Sequence, residues 1–361
     1  MEQLPDSSDN QRPVKTGRYY DPIGYFVTTE EKSVKKRDPY FSNLKFILIF
    51  LVILGHLMEK HIYTNHDLYI IYTAIYMVHM PLFAFISGYF SKNSYKKLNY
   101  VWKIGEQYFL LHLGWLLVNL LTTGEIGDWR SPYWYFWYLL SLFCWKWMGI
   151  FILFIKRYVS TKMTGIFRIS VVIVIILIGC FSGALWWIGR AYSLSRTLVF
   201  FPFYYMGLCC SNKVINKIRE IRPSEKHLLV FMSFIITFIL GSWLFCFVPV
   251  TFLYHAEGFK AFSLSISSGV HARFVCYIIS VLLGLVMLAL TPGKQLWFSK
   301  FGADTFPVYI SHGLLMPANN FAPAGTLGSI IYFSTISIGF VCLVYWIMYW
   351  GRNHKLKPHP R

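Results

Sequence analysis

The chain has 361 residues, 56% of them hydrophobic and 14% charged, against about 25% charged in a soluble domain. A deficit of that size excludes an ordinary soluble globule, because most of the chain needs no solvated face. The formal charge of +18 has the magnitude of a nucleic-acid signal. Its distribution argues against such a partner, since the basic residues lie in short clusters between apolar runs.

Aromatic residues make up 19% of the chain, with 25 Tyr and 13 Trp, and these side chains favour membrane–water interfaces. Seven cysteines (Cys144, Cys180, Cys209, Cys210, Cys246, Cys276 and Cys342) fall in or beside apolar stretches without any CxxC spacing. They read as buried, unreactive thiols, since free Cys behaves as a small hydrophobe. No metal is expected.

Residues 1–42 are polar, basic and contain proline. They lack the apolar core of a cleavable signal and read as a cytoplasmic tail. A bilayer core about 30 Å thick needs roughly 20 apolar residues in a helix. Such stretches occur near 43–63, 68–90, 100–122, 133–155, 169–188, 194–211, 226–247, 270–291, 304–320 and 326–349. The ninth is the weakest, because Pro307, His312 and Pro317 interrupt it. Of the 34 Lys and Arg residues, 26 fall in the two tails and in alternate linkers. The excess of cations on one side marks the cytoplasm. The expected fold is therefore an all-α integral membrane protein with about ten transmembrane helices and both termini cytoplasmic. A membrane domain would occupy 43–349 and a short basic tail 350–361. The linker 248–269, on the opposite side, is long enough to fold over the mouth of the bundle.

Ionisable groups at membrane depth are costly, and they often mark a functional path. Lys45 and His56 lie eleven residues apart on the first span. Eleven residues is close to three helical turns, so both share a face, about 16 Å apart along the axis. A cation at the entrance and an imidazole deep inside suit the two ends of a long ligand. A snorkelling lysine and a hydrogen-bonded core histidine would also satisfy the spacing. His79 falls near the middle of the second span, level with His56, and Pro81 disrupts the backbone bonding beside it. A catalytic base and its helper fit this pair better than a metal site, for which no third ligand is suitably spaced. His312 in the broken ninth span is either a polar stabiliser of the kink or a substrate contact. Glu106 on the third span either pairs with an internal cation or takes part in substrate binding.

NLKFILIFLVILGH (43–56), YMVHMPLFAFISGYFSK (76–92), SRTLVFFPFYYMG (195–207) and FPVYISHG (306–313) together resemble the membrane acyltransferase family 3. Within it the resemblance is to the fucose 4-O-acetylase-like sugar O-acetyltransferases of bacterial surface polysaccharides, and it covers about 40–350. The family pattern of a basic residue, ten residues and a histidine stands here as Lys45-x10-His56. Many members carry Arg at the first position. Lys keeps the charge but not the bidentate grip. Where some relatives have Arg-x-Arg after the second span, this chain has SKNSYKKL, offering Lys92, Lys96 and Lys97.

The resemblance implies an acyl-coenzyme A donor, usually acetyl-CoA, and a sugar hydroxyl as acceptor. The acceptor would be on a bacterial surface polysaccharide, such as an exopolysaccharide or capsule, or on its lipid-linked precursor, with the enzyme in the bacterial cell membrane. Many members carry an extracytoplasmic hydrolase-like domain. The sequence ends 12 residues after its last expected span, which is the pattern of a stand-alone membrane form. On this reading Lys45, Lys92, Lys96 and Lys97 hold the donor's phosphates. His56 is the base or the nucleophile, and His79 orients it or hydrogen-bonds the oxyanion. Arg196 contacts the acceptor or anchors the helix at the interface. Trp134, Tyr135, Trp137 and Tyr138 are either a sugar-stacking wall or an interfacial belt. A polytopic transporter and an acyltransferase with a non-polysaccharide acceptor are the competing classes. No repeat between halves supports the former.

Overall fold

A computed structural model describes residues 18–20, 26–28, 38–185, 187–323 and 325–355. The chain divides into two units, 1–38 and 39–361. In the first, strands β1 (Arg18–Tyr20) and β2 (Phe26–Thr28) pair antiparallel with Tyr19 opposite Val27. The rest of the expected cytoplasmic tail, up to residue 37, and the last six residues of the basic C-terminal tail lie outside the described residues.

The second unit is helical. Its elements are α1 (Pro39–Met58), α2 (His66–Tyr89), α3 (Leu98–Thr123), α4 (Trp137–Lys156), α5 (Thr164–Phe181), α6 (Leu194–Cys209), α7 (Asn212–Arg219), α8 (Pro223–Phe245), α9 (Ile266–Leu290), α10 (Phe306–Ser311) and α11 (Thr326–Lys355). Nine of the ten apolar stretches thus coincide with a helix. The expected boundaries move outward at both ends of the membrane unit. Helix α1 begins at Pro39 rather than 43, because proline is tolerated in a first turn. Helix α11 runs on to Lys355.

Among the described residues, seven helices are long and apolar enough to cross a bilayer: α1, α2, α4, α5, α8, α9 and α11. Helix α6 and the short α7 form an eighth candidate, bent by 93° at their junction. Helix α3 has the length, but Glu106, Gln107, His112 and Asn119 dilute its apolar character. The chain is a multi-pass membrane protein. The ninth stretch is not a continuous helix. Pro307 opens α10, which ends after six residues, and a 3₁₀ segment containing Pro317 follows over His312–Phe321.

Helices α1 and α2 form the centre. In α1, 72% of the apolar stretch is buried, against 11% in α8, whose apolar side chains face outward as lipid-facing ones do. Helices α2 and α6 approach at two glycines. A Cβ on Gly88 would sit 1.8 Å from the Tyr204 carbonyl oxygen, and one on Gly207 would sit 1.9 Å from that of Phe85. Small residues are what allow membrane helices to pack this closely. This seam fixes α2, and with it His79, against α6 and Arg196.

The linker 248–269 folds into two 3₁₀ turns, Val250–Tyr254 and Phe259–Phe262, and buries Phe252, Leu253 and Phe259. Arg273 on α9 anchors it. The guanidinium donates to the carbonyl oxygens of Glu257 and Gly179 and to the hydroxyls of Ser182 and Ser195.

Candidate active site

Two of the cavities inside the helical unit are lined by the residues singled out above. The larger, about 500 Å³, runs from Lys45 on α1 and Lys146 on α4 to His56 and His312. The smaller, about 180 Å³, is bounded by Glu59, Tyr76, His79, Trp134, Arg190 and Arg196. Leu253 and Tyr254 of the 248–269 segment close part of its wall. Three residues, His56, Met80 and Trp137, line both cavities. His56 therefore stands where they meet.

The imidazole of His56 is held on several sides. Its Nδ1 lies 3.4 Å from the Tyr76 hydroxyl and 3.6 Å from Glu59 Oε2. The Trp134 ring packs edge-on at 4.4 Å between centroids, and His312 stacks at 5.4 Å. Glu59 is fixed in turn. Its Oε1 accepts a hydrogen bond of 3.1 Å from the Tyr254 hydroxyl, which itself lies 2.6 Å from the Tyr72 hydroxyl. A line of hydrogen-bonding groups thus runs from Tyr72 through Tyr254 and Glu59 to His56.

His79 and His312 are buried, and each has one nitrogen committed. Nδ1 of His79 lies 2.7 Å from the Ile75 carbonyl oxygen, and Nδ1 of His312 lies 2.6 Å from that of Tyr309. A carbonyl only accepts, so both Nδ1 atoms carry a proton, and in the neutral ring Nε2 is left with a lone pair. His79 can then accept a hydrogen bond from a ligand but has no N–H left for an oxyanion. The Tyr76 ring fits between His56 and His79, with centroids 6.3 and 4.8 Å away. Arg196 donates Nε–H to the Tyr254 carbonyl oxygen at 3.1 Å and lies over the Trp137 ring at 5.0 Å.

A half-buried imidazole thus stands at the junction of a long channel and a small polar chamber. The family described as acyltransferase domain matches residues 38–350. The chain belongs to this acyltransferase family. The nodulation protein NolL of Sinorhizobium fredii is 33% identical to it over 128 residues, which is 30% of this chain and 35% of that protein. NolL of Mesorhizobium japonicum is 37% identical over 102 residues, 27% of this chain and 25% of that protein. The matched parts thus span about a third and a quarter of these relatives' lengths. No solved structure matches the chain.

In this family member, Lys45, His56, His79, Arg196 and His312 all line one or both of the two cavities. Lys45 and His56, eleven residues apart on α1, line the same cavity. His312 both ties the broken segment through Tyr309 and stacks on His56. The four aromatics of 134–138 also line cavity walls.

Lys92, Lys96 and Lys97 do not. Lys92 packs its ammonium over the Tyr89 ring at 3.7 Å, and Lys96 and Lys97 are exposed. The expectation of an internal Glu106 is corrected. It is exposed on α3 and does not line the larger cavity, while its neighbour Gln107 does. Three site residues escape the sequence reading. Glu59 lies one turn beyond His56, a signal masked by its place at the end of a span. Tyr254 comes from a distant loop. Lys146, a lone cation in an apolar run, is 5% exposed and lines the larger cavity.

Proposed function

We propose that the protein transfers an acetyl group from acetyl-CoA to a sugar hydroxyl of a bacterial surface polysaccharide or its lipid-linked precursor. The observation that carries this reading is the sharing of His56 by two cavities of unequal shape. The larger suits a long donor arm with its charged end at Lys45 and its thioester at His56. The smaller, walled by Trp134 and Trp137 with Arg196, Arg190 and Glu59 around it, suits a sugar ring. Indole faces stack on its C–H surface while the charged groups take its hydroxyls.

In this mechanism the acceptor hydroxyl enters beside His56 Nε2, which removes its proton as the oxygen attacks the thioester carbonyl. Glu59, within reach of Nδ1, orients the ring and stabilises its positive charge, as a carboxylate does behind a catalytic histidine. The tetrahedral intermediate collapses as the C–S bond breaks. The proton passes from His56 to the leaving sulfur, giving the O-acetyl ester and free coenzyme A. His79 accepts a hydrogen bond from the acceptor through Nε2. Direct attack by His56 on the thioester, followed by transfer from an acetyl-imidazole, is the covalent form of the same chemistry.

The donor side is cytoplasmic and the 248–269 segment external, in keeping with the charge asymmetry of the linkers. A reporter active only outside the cytoplasm is then silent when fused after Lys357 and active within 255–262. The decisive assay uses purified protein in lipid nanodiscs with radiolabelled acetyl-CoA and isolated surface glycan. Label on the glycan is the expected result. Label that stays on coenzyme A with every glycan acceptor contradicts the acceptor class.

A further inference from the structure

We propose that Lys146 is a second donor-binding cation, holding a phosphate of the acyl donor together with Lys45. The inference rests on the reading that the larger cavity takes a coenzyme A thioester.

Lys146 sits midway along α4 and is 5% exposed. An ammonium carries three N–H donors and no acceptor. Two are accounted for, by Ser91 Oγ at 2.7 Å and Ser94 Oγ at 3.1 Å. Ser91 gives its own hydroxyl proton to the Ser87 carbonyl oxygen at 2.6 Å, so a lone pair of its Oγ faces the lysine. The Tyr100 ring lies 5.4 Å from Nζ. These groups orient a cation without neutralising it, and among the described residues no carboxylate lies within ion-pair distance of Nζ. A buried charge is normally paired. Lys146 also lines the larger cavity, whose wall includes one carboxylate, Asp304, not paired with it, so its third N–H has a route to a ligand there, and the missing counter-charge is an anion that enters the cavity.

Lys45 marks the same end of that cavity. Its ammonium lies 5.8 Å from the Phe90 ring, next in sequence to Ser91. The two cations therefore reach the end of α2 from different helices, α1 and α4, and both line the larger cavity. Two point charges at one end suit a ligand with more than one phosphate. His56 lies about 16 Å along α1 from Lys45, which leaves the uncharged arm to span the gap.

The test measures binding of coenzyme A, 3′-dephospho-coenzyme A and S-acetylpantetheine by calorimetry, with protein in phosphatidylcholine nanodiscs. Lys146→Gln is expected to weaken coenzyme A about 10- to 100-fold, the loss typical of a charge-assisted contact. It should leave the phosphate-free thioester unchanged, and Lys146→Arg should recover most of the loss. Unaltered coenzyme A binding in Lys146→Gln overturns the assignment, and so does an equal loss for S-acetylpantetheine. Wild-type protein that binds coenzyme A no better than S-acetylpantetheine overturns the donor reading itself. Phosphatidylglycerol nanodiscs that lower wild-type coenzyme A binding to the Lys146→Gln level would assign the anion to a lipid headgroup instead. Should Lys146→Gln fail to fold, Ser91→Ala combined with Ser94→Ala keeps the charge but loosens its hold. That variant should bind coenzyme A several-fold more weakly with S-acetylpantetheine unaffected, and unchanged coenzyme A binding contradicts the proposal.

Discussion

The two cavities that meet at His56 differ in where their polar groups lie. In the larger, about 500 Å³, the cations Lys45 and Lys146 stand at one end and the imidazoles at the other, with Ile49, Val52, Met80, Phe83 and Leu142 on the wall, beside the uncharged polar Ser87 and Gln107 and one carboxylate, Asp304. In the smaller, about 180 Å³, Glu59, His79, Arg190 and Arg196 are all on the wall. On the proposed reading the first takes a molecule charged at one end and uncharged along its arm. On the same reading the second takes a compact polar molecule rich in hydrogen-bonding groups. The proposed transfer between two such ligands needs a base within reach of both, and His56 lines both cavities.

Substitutions at seven positions sharpen or break that contrast. His56→Gln keeps a polar side chain but removes the base, and turnover should fall about 10²- to 10⁴-fold with the fold intact. Near-normal turnover in acetyl transfer would make His56 a structural histidine. Glu59→Gln leaves the shape of the contact but removes the charge behind the imidazole. A loss of up to about 10²-fold in kcat, with donor KM little changed, is expected from the misplaced ring. Steady-state kinetics in nanodiscs separates the two parameters.

Lys45→Ala and Arg196→Ala should divide the cavities by substrate. The first should raise donor KM by about tenfold or more, corresponding to a lost charge-assisted contact of about 1.5–3 kcal/mol, and leave acceptor KM alone. Arg196→Ala should raise acceptor KM about tenfold and spare the donor. If both substrates respond equally to either variant, the cavities do not divide the ligands. Lys92→Ala, Lys96→Ala and Lys97→Ala, away from the cavity wall, should change donor KM by no more than about twofold, the scale of exposed charges. A tenfold effect from any of them would extend the donor site beyond the cavity.

Helical periodicity makes part of this legible in the sequence. Lys45 and His56 share a face because eleven residues close three turns, and Pro307 with Pro317 foretells the broken ninth stretch. What periodicity does not carry is contact between distant elements. The Tyr254–Glu59 bond joins residues 195 positions apart, and Lys146 meets Ser91 across 55. The 93° bend between α6 and α7 and the exposure of Glu106 depend on neighbours that a linear pattern leaves unspecified. Lys92, Lys96 and Lys97 show the limit from the other side, since three cations near the right segment end up off the cavity wall.

The most direct test of the account is an experimental structure of the protein with coenzyme A bound in nanodiscs. The account predicts the thiol within about 4 Å of His56 Nε2, close to hydrogen-bonding range, with the phosphates at the Lys45 end of the larger cavity. A thiol in the smaller cavity, or phosphates at Arg190 and Arg196, would contradict it.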